Sequence, residues 1–148
     1  KGNQDEQTVM DNMRFLAAIC GCKFIFFDHI SWLAASTEDG EDERKKLDRI
    51  VVKIKELAEE LGITIIAISH VNDQGQTRGS RYISKMADTV INLTRDLKST
   101  DEDERKTLHI YIEKARTAGA TEGPAGSALF DVVSNTLKVR VPVAAPIN

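Results

Sequence analysis

Two stretches decide the fold: Lys23-Phe24-Ile25-Phe26-Phe27-Asp28-His29-Ile30 and Ile63-Thr64-Ile65-Ile66-Ala67-Ile68-Ser69-His70. Each is a short apolar run that closes on polar residues, and an uninterrupted run of that length predicts a strand buried on both faces. Between them, residues 41–61 carry Leu47, Ile50, Val51, Ile54, Leu57, Ala58 and Leu61 on one helical stripe, with Gly62 as the stop. Strand, helix, strand with apolar strands predicts a parallel βαβ unit. One local rule is broken: Glu59 and Glu60 sit at the negative end of the helix dipole, tolerable at an exposed surface.

Working outward, residues 6–21 place Val9, Met13, Leu16, Ala17 and Cys20 at helical spacing before Gly21. Downstream of the second run lie a polar loop from Val71 to Ser80, a short helix over 81–87 and a strand over 89–94. The charged segment 98–106 reads as an exposed turn. Leu108, Ile110 and Ile112 then alternate with His109, Tyr111 and Glu113, the period of a strand with two unlike faces. Residues 117–126, with three glycines and Pro124, read as a loop. Residues 128–133 and 137–141 read as a hairpin across Ser134-Asn135-Thr136. The fold class is therefore α/β, a parallel sheet with flanking helices that antiparallel strands complete at the C-terminal end. Several doubly wound folds share this pattern. Residues 1–141 read as one domain and 142–148, with two prolines, as a tail or linker.

A chain of 148 residues is one domain's worth, and at that size folding buries roughly 70% of the unfolded surface. No apolar run is long enough to span a membrane. The N-terminus is polar, without a signal-peptide pattern, and its lack of Met predicts a start inside a longer protein. Cys20 and Cys22 have no second pair, so a zinc site is not expected and two reduced thiols are. The net charge of −3 argues against a basic DNA-coating protein but allows one local basic loop. Acids cluster at Glu38, Asp39, Glu41, Asp42 and Glu43; Arg78, Arg81 and Lys85 share a stretch without any acid.

Four places could carry chemistry. Asp28 ends a buried strand, where α/β folds bind ligands and where a carboxylate suits Mg²⁺; an acid there can equally cap the next turn. His70 ends the next strand on the same sheet edge, although a lone histidine is more often structural. Arg78-Gly79-Ser80-Arg81 combines cations, a hydroxyl and a glycine that lets the backbone approach, which suits a sequence-independent grip on single-stranded nucleic acid or simply a surface loop. Lys114 and Arg116, two apart, could clamp a phosphoryl group or mark an exposed cationic strand end. No G-x-x-x-x-G-K-[ST] occurs anywhere, so these residues cannot cradle a triphosphate by the usual route.

Taken in order, these motifs resemble the C-terminal half of the helicase domain of DnaB-like replicative helicases and, among them, the bifunctional primase-helicases of bacteriophages. The resemblance runs from about Thr8 to Val139. Phe24 to Ser31 is similar to the family's Walker B strand with its Asp-His-Ile-Ser continuation, and Glu43-Arg44-Lys45 opens the next helix as in the phage enzymes. Ser69-His70 matches the polar γ-phosphate sensor, where DnaB proteins proper usually carry Gln. Arg78-Gly79-Ser80 and Ala87-Asp88-Thr89-Val90-Ile91 match the DNA-contacting loop and the strand after it. Lys114-Ala115-Arg116-Thr117 resembles the Lys-x-Arg arginine-finger segment.

The resemblance implies an incomplete RecA-like core, with the P-loop strand and helix and the catalytic Glu upstream of Lys1. It implies Mg²⁺ coordination by Asp28, γ-phosphate sensing by His70 and nucleotide contact by Arg95. Single-stranded DNA would be held by Arg78, Gly79 and Ser80; Arg81 stands where the family often has a small residue. Lys114 and Arg116 would reach the triphosphate of a neighbouring subunit in a homohexameric ring. The parent would be an ATP-dependent (or other NTP-dependent) DNA helicase of the cytoplasm of a bacterium or phage-infected cell, with primase and polymerase as partners and no membrane attachment. The fragment alone would be inactive. The alternatives are a RecA-type DNA-dependent ATPase without unwinding activity, or a non-catalytic ring module that binds single-stranded DNA.

Overall fold

In the computed structural model the two apolar runs form β1 (Phe24–Phe27) and β2 (Thr64–Ala67), paired in parallel with Phe24 opposite Thr64 and Phe27 opposite Ala67. The structure describes residues 6–35, 42–70, 81–116, 122–131 and 136–140. The chain divides into two compact units, Lys1–Ala87 and Asp88–Asn148.

The first unit is built around α3 (Glu43–Leu61), the helix that connects β1 to β2. It is preceded by α1 (Glu6–Ala18) and by α2 (Ser31–Ala35), and the unit ends with α4 (Arg81–Met86). Leu47, Ile50, Val51, Ile54 and Leu57 of α3 are buried, as their spacing predicts. They meet Val9, Met10 and Met13 of α1, Ile25 of β1, and Ile30 and Leu33, in one core. Full burial of each such side chain is worth about 1.5–3 kcal/mol. Asp42 caps the start of α3 through its carboxylate, which accepts from the Arg44 N–H at 2.9 Å. Gly62, at φ +59°, ends the helix: the Ile63 N–H bonds the Ala58 carbonyl at 3.1 Å and the Gly62 N–H the Glu59 carbonyl at 3.4 Å. The two acids that break the dipole rule both have cationic partners. Glu59 pairs with Lys55 at 3.0 Å and Glu60 with Arg14 of α1 at 3.4 Å.

The burial of β1 and β2 differs from expectation. Ile25 is 7% exposed, but Phe24 and Phe26 are 66% and 72% exposed, and Ile66 and Ile68 are exposed as well. The pleat alternates side chains between two faces. Among the described residues only the face carrying Ile25 and Ile65 packs against helices. A parallel strand reads as buried on both faces only where both are covered.

The second unit holds β3 (Thr89–Thr94), α5 (Glu102–Lys106), β4 (Thr107–Ala115), β5 (Gly123–Asp131) and β6 (Thr136–Arg140). Among the described residues its strands form an antiparallel sheet of their own in the order β3-β4-β5-β6 and, contrary to expectation, none pairs with β1 or β2. The register skips Glu113 between Ile112 and Lys114 opposite β3, and Ala125 between Pro124 and Gly126 opposite β4. Gly123 to Gly126, expected in a loop, belong to β5. Among the described residues β6 pairs with β5 from Ser127 onward, so Pro124 has no partner on that side to which it would have to donate. The charged turn expected at 98–106 contains α5. Asp101 caps it by accepting from the Asp103 N–H at 2.8 Å and the Glu104 N–H at 3.4 Å. The expected hairpin turn at 134–136 lies outside the described residues except for Thr136, which opens β6. The tail at 142–148 lies wholly outside them.

Candidate functional site

The parallel pairing fixes where Asp28 and His70 stand. Hydrogen bonds continue past the strand ends: the Ile68 N–H donates to the Phe27 carbonyl, and the Ile30 N–H to the Ile68 carbonyl, each at 2.9 Å. Strands that run in one direction finish on one edge, so Asp28-His29 and Ser69-His70 are held side by side. The imidazoles of His29 and His70 meet edge to face, with ring centroids 4.5 Å apart. Asp28 and His70 are exposed; His29 and Ser69 are half-buried. The Asp28–His29 peptide bond is cis.

His29 Nδ1, Ser31 Oγ and Ser69 Oγ are buried without a hydrogen-bond partner, and all three belong to the segments that follow β1 and β2. Polar atoms in that state call for a polar partner. Among the described residues no group of three or more His, Cys, Asp and Glu could enclose a metal ion. One exposed carboxylate near the unsatisfied Ser31 and Ser69 hydroxyls suits Mg²⁺ bound largely through water and phosphate oxygens. The residues present thus fit a hydrated Mg²⁺–phosphate group.

The second group of candidates lies in the other unit. Lys114 is close to the end of β4, and Arg116 follows that strand directly. The β3–β4 pairing continues to this point: the Arg116 N–H donates to the Asp88 carbonyl at 2.9 Å, and Arg116 Nη1 lies 3.6 Å from Asp88 Oδ1. Glu122 Oε1 accepts from the Ala115 N–H at 3.2 Å, which brings a second carboxylate to the same strand end. Partial desolvation, and after it the positive charge of Arg116, hold the Lys114 ammonium below its ordinary range; Asp88, Glu113 and Glu122 pull the other way. Two cations and their counter-charges are therefore concentrated there. Arg95 is exposed just beyond the opposite end of β3. It is separated from Arg116 by the length of the strand, roughly 20 Å at 3.3 Å per residue. The structure does not bring these two arginines together.

Arg78, Gly79 and Ser80 lie outside the described residues; Arg81 opens α4. Sequence reasoning passed over His29 and Asp88. The signal for His29 was its position directly after Asp28 on a strand whose partner also ends in histidine. The signal for Asp88 was register: with Thr89 opposite Ala115, the preceding residue stands opposite Arg116.

Comparison with known proteins gives the chain its place. The sequence profile of the DnaB-like helicase C-terminal domain matches residues 2–126. A DNA helicase/primase of Enterobacteria phage T3 is 28% identical over 127 residues, which cover 76% of this chain and 22% of that protein. The chain thus spans about a fifth of the length of that relative. Among solved structures, a DnaB-like replicative helicase studied for its interactions with primase superposes with a TM-score of 0.69 at 17% identity. That likeness covers 86% of this chain and 33% of the other. A KaiC-like protein of the archaeon Pyrococcus horikoshii superposes at 0.65 with 20% identity, over 91% of this chain and 56% of the other. These structures bear out the expected RecA-like α/β fold. The profile match covers most of the chain, and the order of the Asp-His-Ile-Ser, Ser-His and Lys-x-Arg motifs agrees with it: this chain belongs to the DnaB-like helicase C-terminal domain family.

Proposed function

We propose that these residues form part of the motor of a replicative DNA helicase that hydrolyses ATP or another nucleoside triphosphate. The observation that carries the reading is that Asp28-His29 and Ser69-His70 follow two parallel strands on one edge, with the His29 and His70 rings 4.5 Å apart. A carboxylate that suits hydrated Mg²⁺ and a polar ring on the same edge suit phosphoryl transfer, which requires positioning and charge stabilisation.

Asp28 would hold Mg²⁺ through water, and the ion would supply charge neutralisation at the phosphates. His70 donates or accepts a hydrogen bond at the terminal phosphate and so registers whether it is present. Lys114 and Arg116 offer positive charge to the triphosphate of a neighbouring subunit, which makes a homohexameric ring the working assembly. Arg95 adds a further nucleotide contact. Arg78, Gly79, Ser80 and Arg81 grip single-stranded DNA through its phosphates, and hydrolysis moves that grip along the strand. Primase and polymerase are the expected partners.

The test uses the full-length polypeptide that contains this chain. Asp28→Asn keeps the size of the side chain and removes its charge, so turnover should fall by about 10²–10³-fold. Wild-type turnover in that variant would sink the assignment. Strand displacement on forked DNA separates a helicase from a DNA-dependent ATPase without unwinding activity: hydrolysis without displacement would favour the latter.

A further inference from the structure

We propose that Asp88 is the positioning residue of the cationic strand end, aiming the Arg116 guanidinium toward bound nucleotide. The inference rests on the reading of Arg116 as a cation supplied to a neighbouring subunit's triphosphate.

Two separate ties join this pair of residues. The main-chain tie, Arg116 N–H to the Asp88 carbonyl at 2.9 Å, continues the β3–β4 ladder and fixes where the Arg116 side chain leaves the backbone. The side-chain tie, Nη1 to Oδ1 at 3.6 Å, sets its direction. An arginine side chain is long and has many rotamers, so a fixed backbone alone leaves the guanidinium widely distributed. A carboxylate at the base of the opposing strand narrows that distribution. Asp88 and Arg116 side chains are 55% and 51% exposed, so the contact is formed in water. An exposed pair of this kind is weak. It can orient a guanidinium and still yield it to a phosphate, which carries more charge and accepts a bidentate fork. A deeply buried pair could not exchange in this way.

Asp88 also answers a local repulsion. Lys114 stands two residues before Arg116, and like charges so placed push each other apart. Desolvation, and after it the charge of Arg116, lowers the Lys114 pKa, while Asp88 is among the carboxylates that oppose the shift. Without Asp88 the two cations would splay, and a clamp that needs both would lose its geometry.

The experiment compares Asp88→Asn, Asp88→Glu, Arg116→Ala and the double variant Asp88→Asn/Arg116→Ala in the full-length polypeptide. Asn retains the main-chain acceptor, so the β3–β4 ladder remains, and melting of each variant checks the fold. Asp88→Asn should lower kcat about 5-fold, roughly 1 kcal/mol of transition-state stabilisation, with KM changed less than about 2-fold. Asp88→Glu should recover part of the loss, and the double variant should be no slower than Arg116→Ala alone. Wild-type kcat in Asp88→Asn, or a double variant slower by the product of the single effects, overturns the positioning role while leaving Arg116 as it is. Wild-type kcat in Arg116→Ala overturns the reading of Arg116 itself, and with it any role for Asp88 in aiming it.

Discussion

His29 and His70, which end two parallel strands, meet edge to face with their ring centroids 4.5 Å apart. The contact links the residue after Asp28 to the candidate phosphate sensor, so His29 steadies His70 without itself needing to touch substrate. Removing His70 removes a polar group at the site: in the full-length polypeptide His70→Ala should cost about 10²-fold in kcat. Loss of the aromatic contact in His29→Ala is worth about 0.5–1.5 kcal/mol, hence roughly 2- to 10-fold in rate. His29→Phe keeps a ring edge against His70 and should retain most of the turnover. Equal losses in the Phe and Ala variants, measured by steady-state hydrolysis, would show that the ring contact is not what matters.

The docking of α1 on α3 should depend on pH through Glu6. Its carboxylate, only 15% exposed, accepts from Lys53 Nζ and from Arg49 Nη2. Burial raises its pKa, but the two cations together outweigh burial and leave it below the ordinary 4.5. A lowered folded-state value means that the stabilisation is fully present above the unfolded value and is lost as pH falls through the folded one. Glu6→Gln should therefore cost about 0.5–1 kcal/mol near pH 7, because both cations are half-exposed and screened. The gap between wild type and variant should close as the pH falls below the ordinary glutamate range. Urea unfolding at neutral and acid pH measures it; a gap that persists in acid would contradict the pairing.

Much of the architecture was legible because its periods are unambiguous. The α3 stripe and the alternation of Leu108, Ile110 and Ile112 each match one repeat and no other. The placement of Asp28 and His70 at one sheet edge was legible for a different reason: parallel strands end on one edge whatever their packing. What escaped was too short or too polar to show a period. Helix α2 is five residues long, and α5, Glu-Asp-Glu-Arg-Lys, has no apolar stripe; its existence depends on the Asp101 cap. The start of β5 escaped because glycine and proline signal a turn locally, whereas pairing of Pro124 with Tyr111 is a long-range choice. Asp88 escaped because its partner is 28 positions away (116 less 88) and only the strand register brings the two together.

The end of α3 gives a purely backbone prediction. Gly62 has φ +59° and ψ 43°, and a Cβ added there would meet nothing within 4 Å. Gly62→Ala should thus be limited by left-handed strain alone, about 1–2 kcal/mol. Gly62→Asn should cost less, because asparagine visits that region more readily. Thermal unfolding ranks the three chains, and an Ala variant as stable as wild type would mean that the helix does not end in this conformation.

The two faces of β1 should respond very differently to loss of their side chains. Ile25 lies in the core with Ile50 and Leu57 of α3, whereas Phe26, one residue later, is 72% exposed. Truncating a buried isoleucine removes transfer energy and leaves a cavity, so Ile25→Ala should cost about 2–5 kcal/mol in unfolding of this chain. Phe26→Ser removes surface already in contact with water and should shift stability within about 0.5 kcal/mol. It should also raise solubility, since Phe24, Phe26, Ile66 and Ile68 make an exposed apolar face. Denaturant melts of the two variants, with light scattering for association, distinguish the faces. A Phe26→Ser cost as large as that of Ile25→Ala would mean that the chain itself covers this side of the sheet.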